Sequence, residues 1–184
     1  DTKEYQKGEF FSLRNLEDSK RIRKKISEIQ TITIIGAGFI GLEIATTALQ
    51  LNKDVTIIEN SENVMGRSIS KDLSTWLINY YTKSGIKFIF NKSFKSFKSD
   101  KNSMINVVLS NDSKINSEMV LISAGSQPND LLFKSIKVNE FNKIKVNSFL
   151  ETNINDIYAI GDCCYFDYYS KEIRLESIQN ATDQ

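Results

Sequence analysis

The stretch Thr31–Asn60, TITIIGAGFIGLEIATTALQLNKDVTIIEN, constrains this chain more than any other. It opens with Thr31–Ile35, a β-branched run of the kind that fills buried parallel strands. A turn follows, Gly36-Ala37-Gly38-Phe39-Ile40-Gly41, with the spacing G-x-G-x-x-G. A helix is predicted next, with Ile40, Ile44, Ala48 and Leu51 on one face. Val55–Ile58 then gives a second strand, which ends at Glu59, 23 positions after Gly36. A lone glycine-rich turn says little. One preceded by a strand, followed by a helix and closed by an acid is the signature of a dinucleotide-binding unit. Gly36 permits the tight turn, Gly38 lets backbone approach a pyrophosphate, and Gly41 allows close helix–strand packing. The helix N-terminus turns free N–H groups and a positive dipole end toward phosphate. Glu59 can accept from a ribose 2′-OH and would repel a 2′-phosphate.

At 184 residues the chain holds one domain, or one domain with pieces of another. A net charge of +1 gives no global pointer to nucleic acid or an anionic membrane. No apolar run approaches the ~18 residues of a membrane span. The absence of histidine removes imidazole-based metal sites and acid–base chemistry, and no catalytic nucleophile constellation or metal cluster is expected. Cys163 and Cys164 are adjacent, with Cα atoms ~3.8 Å apart, closer than normal disulfide geometry. Reduced thiols and a cytoplasmic location are the expectation.

Outside the central unit, Glu9–Leu13 reads as a strand. Asn15 is placed to cap a helix that carries Ile22, Ile26 and Ile29 on its apolar face to about Gln30. The lysines and arginines from Lys20 to Lys25 read as a solvated face. Ser61–Ser70 is a loop containing Arg67, and a helix is expected over Lys71–Lys83 with Gly85 just past its end. Ile86–Phe90 gives a third strand. Lys92–Lys98, Met104–Leu109, Ile115 and Val120–Ile122 suggest an antiparallel meander on one edge of the parallel sheet. Its spaced lysines, Lys92, Lys95, Lys98 and Lys101, read as protection of an edge strand. Ser123–Asn129 follows a strand with small residues that leave room for a ligand, and a short helix is expected over Asp130–Ser135. Lys143–Val146 and Ile157–Ile160 are the last predicted strands. Gly161-Asp162 puts an acid at a strand end, and a helix begins near the final residues.

Three stretches resemble one family. FSLRNLEDSKRI is similar to the LRT-x-x-D segment that crosses from a flavin domain into an NAD domain. IGAGFIGLE resembles the NAD-site GGGFIGLE, and NINDIYAIGDCC with RLESIQNATDQ resembles a second flavin segment. Together they resemble the FAD-dependent pyridine nucleotide-disulfide oxidoreductase superfamily, and within it the NADH:ferredoxin reductase branch that includes putidaredoxin and rubredoxin reductases. The resemblance implies an α/β fold: a Rossmann-like NAD-binding domain, a parallel sheet with an antiparallel meander, inserted between partial segments of an FAD-binding domain. The implied bounds are 1–14 and 149–184 for the FAD-domain segments and 15–148 for the NAD-binding domain. The implied function is a flavoprotein oxidoreductase passing a hydride from NADH to FAD and then electrons to a ferredoxin or rubredoxin, an iron–sulfur electron-transfer protein.

Residue by residue, the resemblance gives Arg14 a contact with FAD and Asp162 the flavin's ribityl and phosphate region. It sets the backbone of Ile178 against the flavin ring. Gly36, Gly38 and Gly41, with Phe39 and Ile40 between them, match the NAD pyrophosphate turn. Glu43 matches an acid near the nicotinamide, Glu59 the ribose acid that marks NADH preference, Gly125 the glycine of a G-x-x-P-N loop, and Arg67 an arginine common after the ribose acid. Glu43 and Glu176 are polar positioning candidates, or a helix-capping or surface acid. Asn15 departs from the family's threonine, Ala37 from a glycine and Cys164 from a small residue. The family's first FAD-binding turn and its third domain are missing, so an internal fragment is expected, binding NADH weakly and FAD poorly or not at all. The rival readings are a pyridine nucleotide-disulfide reductase, an NADH-responsive flavoprotein of the apoptosis-inducing-factor kind, and a plain NAD module on an unrelated dehydrogenase.

Overall fold

A computed structural model describes residues 10–66, 68–99, 104–125 and 143–184. The chain divides into two compact units, Asp1–Gly125 and Ser126–Gln184.

The first unit is built on a five-stranded parallel sheet. Its strands are β1 (Phe10–Phe11), β2 (Thr31–Ile35), β3 (Asp54–Ile58), β4 (Lys87–Ile89) and β8 (Met119–Ile122), in the order β1-β8-β2-β3-β4. Side-chain alternation divides the sheet's residues between its faces. Ile32, Ile34, Val55, Ile57, Met119 and Leu121 pack with helices α1 (Leu16–Glu28) and α2 (Phe39–Gln50), and α3 (Lys71–Lys83) adds the half-buried Leu77, Ile78 and Tyr81 to this core. Ile35, Ile58 and Val120 pack instead with an antiparallel meander of β5 (Phe94–Ser99), β6 (Ile105–Leu109) and β7 (Lys114–Ser117), through Phe97, Ile105, Val107 and Leu109.

Local signals set the helix ends. Asn15 caps α1 in a full capping box, accepting from the Asp18 N–H while the Asp18 carboxylate accepts from the Asn15 N–H. Helix α3 starts on Ser70, whose hydroxyl accepts from the Leu73 N–H, and ends in a Schellman turn. There Gly85, at φ +109°, donates to Thr82 and Ile86 donates to Tyr81. Ser74, buried on α3, donates its hydroxyl to the Val64 carbonyl at 2.8 Å, which fastens the loop after β3.

Three expectations change in the first unit. Val120–Ile122 leaves the meander and lies in the parallel sheet between β1 and β2, with Leu121 opposite Ile34. Its residues are apolar on both sides, the pattern of a doubly covered strand. The meander forms its own sheet over one face rather than extending an edge. Within it β5 is an outer strand, with Lys98 exposed and Lys95 paired to Asp112. Helix α2 buries Gly41, Leu42, Ile44, Ala45 and Ala48, while Ile40 and Leu51 stay 44% and 50% exposed. The close seat of Gly41, described below, sets that rotation.

In the second unit β9 (Ile144–Lys145) pairs parallel with β10 (Cys164–Tyr168), and β10 pairs antiparallel with β11 (Lys171–Ile173). Ile157–Ile160 is not a strand. Tyr158 makes one isolated bridge to Glu151. Asp162 therefore lies in a 3-10 turn, Gly161–Cys163, ahead of β10. Helix α4 (Ile178–Asp183) is the helix expected near the end. The expected helix Asp130–Ser135 and the residues Gln127–Asn129 lie outside the described residues. Among the described residues no helix is long and apolar enough to cross a membrane.

Glu118 closes the lower end of β2. One carboxylate oxygen accepts from the Gln30 N–H at 2.8 Å, the Thr31 N–H at 2.8 Å and the Thr31 hydroxyl at 3.1 Å. The Gln30 bond is the largest influence holding this carboxyl below the usual glutamate range. Burial opposes it, and the Thr31 bonds assist. Because the folded value is depressed, the stabilisation is full above the unfolded value of about 4.3 and is lost as pH falls through the folded value. Glu118→Gln should lower stability by about 1–3 kcal/mol near neutral pH, and the gap from wild type should close in acid. Denaturant melts at a series of pH values would check this, and a pH-independent gap would contradict it.

Candidate functional site

In the first unit all five strands run parallel, so their carboxyl ends share one edge of the sheet. Arg14 follows β1, Gly36 follows β2, Glu59 follows β3 and Gly125 follows β8. That edge is where open α/β sheets bind ligands.

The three glycines of the turn differ in what surrounds them. Gly36, at φ +102°, donates its N–H to Ile58 at 2.8 Å, and a Cβ there would lie 2.6 Å from the Ser123 carbonyl oxygen. A Cβ on Gly41 would lie 2.2 Å from the Gly36 carbonyl oxygen and 2.7 Å from Ser123 Oγ. Neither position has room for a side chain. Gly38 is the opposite: a Cβ there meets nothing within 4 Å. It is the N-cap of α2 and supplies no side-chain cap to the first-turn N–H groups. The structure thus packs two glycines shut and leaves open the one at the helix mouth, the shape that backbone approach to a pyrophosphate requires.

Glu59 stands beside this turn. Its Oε2 accepts from the Ala37 N–H at 2.8 Å, and its Oε1 accepts from the Ser61 N–H at 3.0 Å and lies 3.1 Å from the Ser61 hydroxyl. A carboxylate offers about four lone-pair directions. The two backbone donors leave a free direction on Oε2 for a further hydroxyl, while the single Ser61 hydroxyl proton is shared between Glu59 and the Asn63 carbonyl, 2.9 Å away. Ser61 meets Glu59 only once the chain beyond Glu59 turns back. Met65, at φ +52°, donates its N–H to Ala37 at 3.0 Å and ties the same loop to the turn.

Phe39 and Ile40 are exposed at the start of α2, and Glu43 is exposed one turn further on. Gly125 sits at φ +96° with open space around it. Arg14 is exposed, and its backbone N–H donates to Asp18 at 3.1 Å. Arg67 lies outside the described residues.

The second unit has its own hollow, of about 490 Å³, lined by Ile160, Asp162, Glu176, Ser177, Ile178 and Ala181 among others. Three of the residues singled out in sequence, Asp162, Glu176 and Ile178, come together here. Ile178 is 89% exposed. Sequence reasoning missed Arg174. Its Nε donates to the Asp162 carbonyl at 2.8 Å and its Nη2 meets Glu176 Oε1 at 2.6 Å. Gly161, at φ +71°, donates its N–H to Gln184 Oε1 at 2.7 Å and leaves only 3.1 Å between a Cβ of its own and that of Ala181. Cys164 is buried, and burial raises its thiol pKa.

A sequence profile described as pyridine nucleotide-disulphide oxidoreductase matches residues 1–184. The chain is 30% identical over 174 residues to the rubredoxin-NAD(+) reductase of Pseudomonas putida, an alignment covering 94% of this chain and 45% of that protein. It is 28% identical over 179 residues to the putidaredoxin reductase of the same species, covering 95% and 42%. Among solved structures, a ferredoxin reductase from Rhodopseudomonas palustris matches with a TM-score of 0.88 at 28% identity, over 97% of this chain and 45% of that one. The covalent putidaredoxin reductase–putidaredoxin complex matches with a TM-score of 0.82 at 28% identity, over 94% and 42%. The chain therefore spans less than half the length of these relatives.

The glycine geometry separates folding from binding. In the full-length protein Gly41→Ala should lose at least about 1–3 kcal/mol of stability through overpacking. Gly38→Ala should lose much less, only the cost of a poorer N-cap, but bind ADP-ribose roughly tenfold more weakly. Paired melting and titration measurements test this, and equal stability losses in both variants would refute it.

Proposed function

The chain belongs to the pyridine nucleotide-disulphide oxidoreductase family, and on that basis we propose that it serves in an FAD-dependent reductase. That enzyme passes a hydride from NADH to FAD and then electrons to a ferredoxin- or rubredoxin-type iron–sulfur protein. One observation carries the reading. An open glycine at a helix mouth lies beside a carboxylate whose Oε2 retains an acceptor position. The names of the relatives, a rubredoxin reductase and a putidaredoxin reductase, support the class of acceptor.

When bound, nicotinamide and flavin supply the hydride and single-electron chemistry. The chain's own residues bind and orient them. Gly36, Gly38, Phe39, Ile40 and Gly41 form the nucleotide turn, whose N–H groups hold phosphate. Glu59 accepts from the adenosine ribose and disfavours a 2′-phosphate, which selects NADH. Glu43 and Gly125 belong to the same sheet edge, and Arg67 goes with the loop after Glu59. Arg14, Asp162, Glu176 and Ile178 serve FAD, with Asp162, Glu176 and Ile178 around the hollow. An NAD-binding domain lies in the sequence between FAD-domain segments, the second of which holds that hollow. The adjacent cysteines favour a reducing, cytoplasmic setting.

Two measurements test the proposal. The visible spectrum of the full-length gene product should show a flavin that anaerobic NADH bleaches. A colourless protein, or a flavin indifferent to NADH, would overturn it. Glu59→Ala should weaken NADH binding by about 1–3 kcal/mol through unpaired ribose hydroxyls, and unchanged affinity would remove Glu59 from the site.

A further inference from the structure

Arg174 stands out in the second unit because its side chain is only 13% exposed although Lys171 and Glu172 just before it are exposed. A guanidinium that gives up water needs fixed acceptors in return. It finds two, at the open end of the β10–β11 hairpin. One is the backbone carbonyl of Asp162, in the 3-10 turn that lines the hollow. The other is the carboxylate of Glu176, two residues beyond Arg174 on the same segment, which also lines the hollow. The two contacts leave from different nitrogens of one planar group, so this side chain joins the Gly161–Gln184 hydrogen bond in fixing the turn against the segment that leads into α4.

Charge adds a second effect. Asp162 and Glu176 place two carboxylates on the lining of one hollow. An anionic ligand in the hollow would be opposed by both. Pairing Glu176 with Arg174 at 2.6 Å offsets one of them. Lysine cannot replace this arrangement. Its ammonium carries the charge but lacks the fork that reaches a carbonyl and a carboxylate together.

We infer that Arg174 is a positioning residue of the flavin hollow, tying the Gly161–Cys163 turn to the segment before α4 and offsetting the charge of Glu176 so that an anionic dinucleotide is accepted. The inference rests on the flavin reading given above. The test uses the full-length protein, stripped of flavin and titrated with FAD, as wild type, Arg174→Lys, Arg174→Met and the double variant Arg174→Met/Glu176→Gln. ADP-ribose affinity and melting temperature are read in parallel, so that a collapsed protein is recognised. Arg174→Lys and Arg174→Met should bind FAD about ten- to a hundredfold more weakly, the loss expected for a pair of charge-assisted hydrogen bonds, with ADP-ribose affinity unchanged. The double variant should regain part of the loss of Arg174→Met, because it no longer leaves Glu176 uncompensated. A purely structural tie would give no such rescue. Wild type that takes up FAD while both single variants take it up equally well would overturn the assignment to Arg174 alone. So would a double variant no better than Arg174→Met, or single variants that lose ADP-ribose affinity and stability together with FAD. Wild type that takes up no FAD would overturn the flavin reading, and this inference with it.

Discussion

The contact of Gly41 with the Gly36 carbonyl is the constraint on which the first unit depends. It admits no intervening atom, since a methyl at Gly41 would stand 2.2 Å from that oxygen. Three elements meet there. The Ser123 N–H donates to the Ile35 carbonyl at 2.8 Å, and its hydroxyl lies 3.0 Å from the carbonyls of both Ile35 and Gly36. The end of β8 is thereby joined to the end of β2 and to the foot of α2. With the foot fixed, the helix can rotate only to the setting in which Ala45 and Ala48 are fully buried. The same closeness leaves the chain at Gly38 standing clear at the sheet's edge.

Much of this fold was legible in sequence because the signals are local. Thr31–Ile35 and Lys71–Lys83 have the bounds expected, and Asn15, Gly85 and the β-branched strands act within a few residues of themselves. What was not legible depends on distant partners. The strand Met119–Ile122 is as apolar as a sandwich strand, and only pairing with Phe10 and Ile32 puts it in the parallel sheet. The face of α2 follows from Gly41 rather than from its largest side chains. The β10–β11 hairpin was missed because its turn is Tyr169-Ser170, both at positive φ, where asparagine or glycine is the usual signal.

The candidate site divides in the same way. The glycines and Glu59 were named from spacing because backbone geometry ties their roles to spacing. Asp162, Glu176 and Ile178 were named from resemblance, and the structure gathers them around one hollow. Ser61 and Arg174 had no signal. A serine two places after an acid and an arginine two places before one are ordinary pairs. Their bonds become visible only when the loop returns and the Gly161–Cys163 turn meets the segment before α4.

The strand order carries a consequence for synthesis. β8 lies between β1 and β2, yet its residues are separated from its β1 partners by the whole of the helices and the meander, as the pairing of Phe10 with Val120 records. On the ribosome, β2 emerges long before its neighbour and must wait with one edge unpaired. A nascent chain of this order exposes an isoleucine-rich edge, the template that strands of other molecules join.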